Sequence, residues 1–75
     1  MGRRKPTTHE IFGRNLRDRR EELELSQGDL AERLGCTRVN ISNAERGAQG
    51  VTLARFVAIC LELESTPDEL LEGAV

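Results

Sequence analysis

The sequence predicts an all-α fold in which five short helices pack into one compact domain. Apolar residues recur at spacings of three and four along most of the chain, as they do on one face of a helix. A serine or threonine precedes each of these stretches, where its side chain can accept a backbone N–H of the first helical turn. With 75 residues, 37% of them hydrophobic and 32% charged, the chain has room for one domain with a small core.

The first predicted helix opens at about Thr8. Thr7 stands before it and Glu10 lies in its first turn, at the spacing of a T-x-x-E capping box. Phe12, Leu16 and Leu23 lie along one stripe of this helix, and Gly13 is expected to be tolerated inside it.

The next two helices are predicted to be joined by a tight turn. Ser26 caps a helix that runs from Gln27 to Leu34. Gly35 follows it, where a chain leaving a helix usually needs a left-handed conformation that only glycine adopts without steric cost. Thr37 is the next capping residue, so a third helix can start at Arg38. A connection of about three residues containing glycine is typical of a helix-turn-helix.

Spacing also assigns the faces of the second and third helices. Leu30, Ala31 and Leu34 point inward from the second helix, and Ile41 and Ala44 point inward from the third. The outward face of the third helix then carries one charged, one apolar and two polar side chains, which suit the edges of DNA bases. These residues are Arg38, Val39, Ser42 and Asn43.

A fourth helix is predicted from Leu53 to about Leu63, capped by Thr52. Its core-facing stripe is predicted to consist of Leu53, Phe56, Cys60 and Leu63. Thr66, Pro67 and Glu69 then form a capping box with proline at the first helical position, which opens a short fifth helix that ends at Gly73.

Apolar residues remain that this core does not use, and we expect them to form one exposed patch. They are Val57, Leu61, Leu70, Leu71 and Val75. A patch that a monomer would expose predicts a self-complementary dimer interface. The alternative is that the fifth helix folds over Val57 and Leu61.

The stretch LSQGDLAERLGCTRVNISNAERG, from Leu25 to Gly47, resembles the lambda-repressor-like, Cro-type helix-turn-helix regulators, often called the XRE family. The resemblance extends over roughly Ile11 to Leu71. It implies a five-helix lambda-repressor-like domain over residues 8–73, with the helix-turn-helix at helices two and three. It also implies a sequence-specific transcription regulator that binds a pseudopalindromic operator as a homodimer, with each third helix in a major groove. The family motif is carried by Gln27, Leu30, Ala31, Leu34, Gly35, Ile41, Glu45 and Gly47.

Further site residues follow partly from this resemblance. Arg20 is implied to form an ion pair with Glu45 that ties the first helix to the third. Residues 1–7 are predicted to be a flexible basic arm that either contacts phosphates or stays solvated. Phosphate contacts are expected from Gln27, Thr37, Asn40 and Arg46, and from Arg3, Arg4 and Lys5 in the arm.

Composition limits the remaining functions. The net charge is −2, yet residues 1–47 carry +2 and residues 48–75 carry −4, which is compatible with DNA binding at the basic end. Cys36 and Cys60 are too far apart for paired metal spacing, so we expect no metal site, no cofactor, and reduced, core-packed cysteines in the cytoplasm. No nucleophile, base and orienting group converge in the sequence, so we expect no enzyme. No membrane signal is evident either, so we expect no membrane partner. The alternative function is a protein-binding module such as an antitoxin that neutralises a partner protein.

Overall fold

The structure is a computed structural model that describes residues 4–74, and these residues contain five helices and no strand. The predicted all-α fold is therefore confirmed. The helices are α1 (Thr8–Glu22), α2 (Gln27–Leu34), α3 (Arg38–Glu45), α4 (Leu53–Glu62) and α5 (Pro67–Leu70). None of them is long and apolar enough to cross a membrane.

Each helix begins where the sequence predicted, because its capping side chain makes the expected hydrogen bond. The hydroxyl groups of all five capping residues accept the backbone N–H three residues further on. At the end of α2, Gly35 has the left-handed conformation, with φ 69°. These bonds satisfy N–H groups that a helix end leaves unpaired, so the helix starts are encoded locally.

Two helices end through a glutamate where glycine would be less strained. Glu24 follows α1 with φ 58°, and Glu64 follows α4 with φ 50°. In both turns the next residue bonds back into the helix: the Ser65 N–H donates to the Cys60 carbonyl at 2.9 Å, for example. This is the hydrogen-bond pattern of a helix end built around a left-handed residue, which costs a non-glycine residue roughly 1–2 kcal/mol.

The hydrophobic core lies where all five helices meet. The rings of Phe12 and Phe56 pack together with their centroids 5.5 Å apart. The buried core residues are Phe12, Leu16, Leu30, Ala31, Ile41, Ala44, Ile59, Cys60, Leu63 and Leu70.

Three expectations about the core are wrong. Leu53 is 78% exposed, because it lies in the first turn of α4 at the rim of an open pocket. Leu70 is only 1% exposed, because α5 turns it into the core beside α1, so it is not part of an exposed patch. Cys36 is half-buried and only borders the core. Ile59, which the sequence analysis did not single out, is fully buried in α4.

Gly13 is required at its position rather than merely tolerated. A Cβ atom there would lie 2.4 Å from the Ala44 carbonyl oxygen and 2.5 Å from that of Glu45. Because this glycine has no side chain, α1 can touch the backbone of α3 directly. The close approach places α3 firmly against the longest helix of the domain.

Two polar side chains of α1 hold the C-terminal part of the domain. The Asn15 amide donates to the carbonyl oxygens of Leu70 at 3.0 Å and Glu72 at 2.9 Å. The Arg19 Nε donates to the Leu63 carbonyl at 3.0 Å and to the Ser65 hydroxyl at 3.1 Å. Ser65 is therefore used as a polar contact between α1 and the turn after α4.

Candidate nucleic-acid interface

The exposed face of α3 carries the four side chains predicted to read bases. Val39 is 65% exposed, Arg38 is exposed, and Ser42 and Asn43 are half-buried. On the opposite side of α3, Ile41 and Ala44 are buried against the core. The structure thus brings the four residues to one surface, which is flanked by polar groups of neighbouring segments.

A buried ion pair anchors the end of α3 to α1. The Arg20 Nε donates to Glu45 Oε2 at 2.5 Å, and Nη2 donates to Oε1 at 3.0 Å. Arg20 is 8% exposed and Glu45 is 9% exposed. The hydrogen bond from Glu45 raises the pKa of Arg20 above its ordinary value. A bidentate pair of this kind fixes direction as well as distance, so it holds α3 at one angle.

The same glutamate also engages a residue predicted to contact phosphate. Gln27, at the start of α2, donates from its amide nitrogen to Glu45 Oε1 at 3.0 Å. Arg20 completes its own set of bonds by donating from Nη1 to the Leu25 carbonyl at 2.7 Å. Four segments of the chain therefore meet at this one carboxylate and its arginine.

Other predicted phosphate contacts form hydrogen bonds at the ends of α3. The Asn40 Oδ1 accepts from the Thr37 N–H at 3.1 Å and from its hydroxyl at 2.9 Å. At the other end, Arg46 donates from Nη2 to Asn43 Oδ1 at 2.5 Å. The side-chain oxygens of Asn40 and Asn43 are thus both occupied by hydrogen bonds within the domain. An amide NH₂ donates only, so it is the group that suits a phosphate or a base acceptor.

The predicted basic arm is described only from residue 4, and Arg3 lies outside the described residues. Arg4 makes two hydrogen bonds of 2.7 Å to the Glu10 carboxylate. The same carboxylate accepts the Thr7 N–H at 2.8 Å as part of the α1 capping box. Arg4 and this N–H together lower the pKa of Glu10 to about 2. Lys5 is exposed.

The potential metal ligands and both cysteines that the sequence analysis considered lie within the described residues. Over residues 4–74, no group of His, Cys, Asp or Glu side chains is arranged to hold a metal ion. Cys36 and Cys60 are not bonded to each other, and burial raises the pKa of the Cys60 thiol, which favours its unreactive form.

Comparison with known proteins places the chain in a family. Residues 11–72 match a family model described as a helix-turn-helix domain. The restriction-modification controller protein C.AhdI from Aeromonas hydrophila is 34% identical, with a TM-score of 0.76 over 81% of this chain and 88% of that one. The P22 c2 repressor, solved with a synthetic operator, is 32% identical, with a TM-score of 0.77 over 83% and 94% of the two chains. The clp gene regulator ClgR from C. glutamicum is 25% identical, with a TM-score of 0.91 over 97% and 94%.

No curated protein matches the chain. Among the solved structures, the same fold also occurs inside an enzyme. Hydroxypropylphosphonic acid epoxidase from S. wedmorenis is 28% identical, with a TM-score of 0.83, but this chain covers only 38% of its length. The similar regulators, by contrast, are matched over nearly their whole length. The chain therefore belongs to the helix-turn-helix domain family, among its lambda-repressor-like, Cro-type DNA-binding transcription regulators.

Proposed function

We propose that this protein is a sequence-specific transcription regulator that binds a pseudopalindromic DNA operator as a homodimer. The observation that carries the proposal is the exposed face of α3, which is firmly held on α1 and presents side chains suited to bases. The P22 c2 repressor, which has a similar fold, was solved with a synthetic operator. In such a complex an α-helix fits the major groove, where each base pair shows a distinct pattern of donors and acceptors.

Arg38 is the residue that we assign to direct base reading. It is the first residue of α3, it is exposed, and within the described chain its side chain has no carboxylate within ion-pair distance. The planar guanidinium can donate to O6 and N7 of one guanine, and such a contact typically gives about 1–3 kcal/mol of discrimination. Val39, Ser42 and Asn43 complete the reading surface, with Val39 suited to a thymine methyl group.

Selection of bound duplexes from a random library tests the function directly. We expect a consensus made of two inverted half-sites whose centres are about 34–36 Å apart along the duplex. Arg38→Ala should then weaken binding to the consensus much more than binding to random DNA. Equal weakening on both would assign Arg38 to phosphate anchoring, and the absence of any enriched sequence would refute sequence-specific regulation.

The dimer is proposed to form through an apolar stripe on α4, which we name the α4 stripe: Leu53, Val57 and Leu61. Their exposed fractions are 78%, 49% and 74%. They lie four residues apart, so they share one face of the helix. α5 does not fold over them. Leu71 is half-buried against the core, and Val75 lies outside the described residues.

Leu61→Glu tests this interface, because it places a charge at the C-terminal end of the stripe, on a side chain that is 74% exposed and outside the core. Analytical ultracentrifugation should show a folded monomer with an unchanged helical circular dichroism spectrum. A single half-site serves as the control, and its affinity should not change while that of the full operator falls. A variant that remains dimeric would move the interface elsewhere. A protein-binding role such as that of an antitoxin would gain support if the unchanged chain is monomeric and shows no preferred DNA sequence.

A further inference from the structure

A cleft lies between α3, the loop after it and the start of α4, and two of its polar side chains, Gln49 and Arg55, have not yet been given a role. Its volume is about 190 Å³. Ile41, Ala44 and Ile59 line its apolar part. Its polar lining consists of Asn40, Gln49, Gly50, Thr52 and Arg55.

Arg55 is the charged residue among those that line this cleft. No contact within the described chain explains why an arginine stands at this position of α4. It is the only basic residue in residues 48–75, against five acidic ones. Its side chain is half-buried, yet in the described chain it makes neither a side-chain hydrogen bond nor an ion pair. A partly buried charge without a partner is costly. The guanidinium fork matches a phosphate group, with which it can make two parallel hydrogen bonds.

The position of the cleft relative to the reading face selects the ligand. Successive residues of a helix are turned by about 100°, so Asn40 and Arg38 lie on opposite flanks of α3. A second cleft, lined by Arg38, Gln27 and the start of α2, lies on the Arg38 flank. When a helix occupies a major groove, one sugar-phosphate backbone runs along each of its sides. The Arg38 flank, together with α2, faces one of these strands. The cleft that holds Arg55 lies on the other flank and therefore faces the other strand, which we call the second strand.

We propose that Arg55, with Asn40 and Gln49, binds a backbone phosphate of this second DNA strand. The inference rests on the proposed DNA-binding function and adds a contact to it. Because the phosphate backbone is independent of sequence, Arg55 sets the depth and register of α3 in the groove and does not select bases.

Fluorescence anisotropy with the selected operator and with a random duplex, measured across a series of salt concentrations, tests the proposal. Replacement of Arg55 by methionine keeps the apolar stem and removes the charge. We expect Arg55→Met to bind both duplexes roughly tenfold more weakly at low salt. The plot of log affinity against log salt should be less steep by about 0.9, the value for one phosphate on B-DNA. Arg55→Lys should keep the slope of the unchanged chain.

Arg14→Met is the matched control. Arg14 is an exposed arginine of α1 that does not line the cleft, and its guanidinium lies 3.9 Å from the position of a Cβ atom at Gly73. The Arg14→Met variant loses the same charge as Arg55→Met. Because Arg14 is not expected to contact a phosphate, the slope for this variant should stay that of the unchanged chain. A slope for Arg55→Met equal to that of Arg14→Met would overturn the assignment. Weakening on the operator alone would do so as well, because Arg55 would then read bases.

Duplexes that carry a single neutral methylphosphonate provide a second measurement. One position on the second strand should weaken the unchanged chain and have no further effect on Arg55→Met. Equal sensitivity of both chains at every position would overturn the contact. Failure of the unchanged chain to bind any duplex would instead refute the proposed function itself. Circular dichroism and urea unfolding of each variant test whether the proteins compared are folded. If Arg55→Met does not fold, Arg55→Gln takes its place.

Discussion

Loss of one partner of the Arg20–Glu45 pair should damage this domain more than loss of both. In Glu45→Gln the Arg20 guanidinium stays 8% exposed and loses the carboxylate that neutralises it. In Arg20→Met the Glu45 carboxylate keeps only the Gln27 amide, at 3.0 Å. Removal of one member of a buried pair typically costs about 3–5 kcal/mol, because the remaining charge is buried and uncompensated.

That cost is large compared with the stability of the whole domain. At about 0.05–0.15 kcal/mol per residue, 75 residues give a free energy of unfolding of roughly 4–11 kcal/mol. Each single variant should therefore melt at least about 12 °C lower. The double variant leaves no buried charge, but the Leu25 carbonyl loses the Arg20 Nη1 donor that now lies at 2.7 Å. We expect the double variant to lose about 1–3 kcal/mol at most, the cost of an unpaired buried acceptor, because this carbonyl is only partly buried.

Thermal and urea unfolding of the two single variants and the double variant Arg20→Met/Glu45→Gln measure this difference. Additive costs would total about 6–10 kcal/mol and leave the double variant largely unfolded, whereas coupled costs make it more stable than either single variant. The control is the exposed pair Arg17–Glu21, with a separation of 3.4 Å, where Glu21→Gln should cost less than about 0.5 kcal/mol. A double variant less stable than both single variants would refute the reasoning.

Three further predictions concern backbone positions and pH. Gly13→Ala should destabilise the domain by about 1–3 kcal/mol in urea unfolding, whereas Gly28→Ala, whose Cβ would meet only a hydroxyl oxygen at 3.7 Å, should stabilise it by about 0.5–1 kcal/mol. Glu64→Gly should raise the free energy of unfolding by about 1 kcal/mol, because φ is 50° there. Since the folded pKa of Glu10 is about 2 and its ordinary value is 4.5, its contribution is present above pH 4.5 and is lost as the pH falls towards 2. Arg4→Ala should therefore make the fall in the urea midpoint over this range less steep.

The helix boundaries could be predicted because each depends on residues close together in sequence. A capping hydroxyl bonds to an N–H only three residues away, so Thr7, Ser26 and Thr37 mark helix starts without reference to the rest of the fold. The burial of α4 could not be predicted in the same way. Spacing placed Leu53 and Cys60 on one stripe, but the helices that pack against α4, chiefly α2 and α5, decide which part of that stripe is covered.

The site shows the same division between local and non-local information. The face that holds Arg38 and Val39 follows from the periodicity of α3 alone. Sequence reasoning missed the roles of Gly13 and Asn15, because their partners lie in other segments, and it assigned no role to Arg55. For Arg55 a signal was present, since a lone cation in an acidic, apolar stretch needs an explanation. For Gly13 no signal existed until α1 and α3 were brought together.

If α3 reads DNA as proposed, stability and DNA reading should be coupled, because both depend on one carboxylate. Glu45 accepts from Arg20, which holds α3 on α1, and from Gln27, the first residue of α2 and a proposed phosphate contact. When Gln27 turns one N–H towards a phosphate, its other N–H can remain on Glu45, since the amide has two donors. A bound phosphate would then be linked through Gln27 and Glu45 to the helix that reads the bases. Gln27→Ala should accordingly weaken operator binding and lower thermal stability together. A loss of affinity with no change in melting temperature would show that the amide acts on DNA alone.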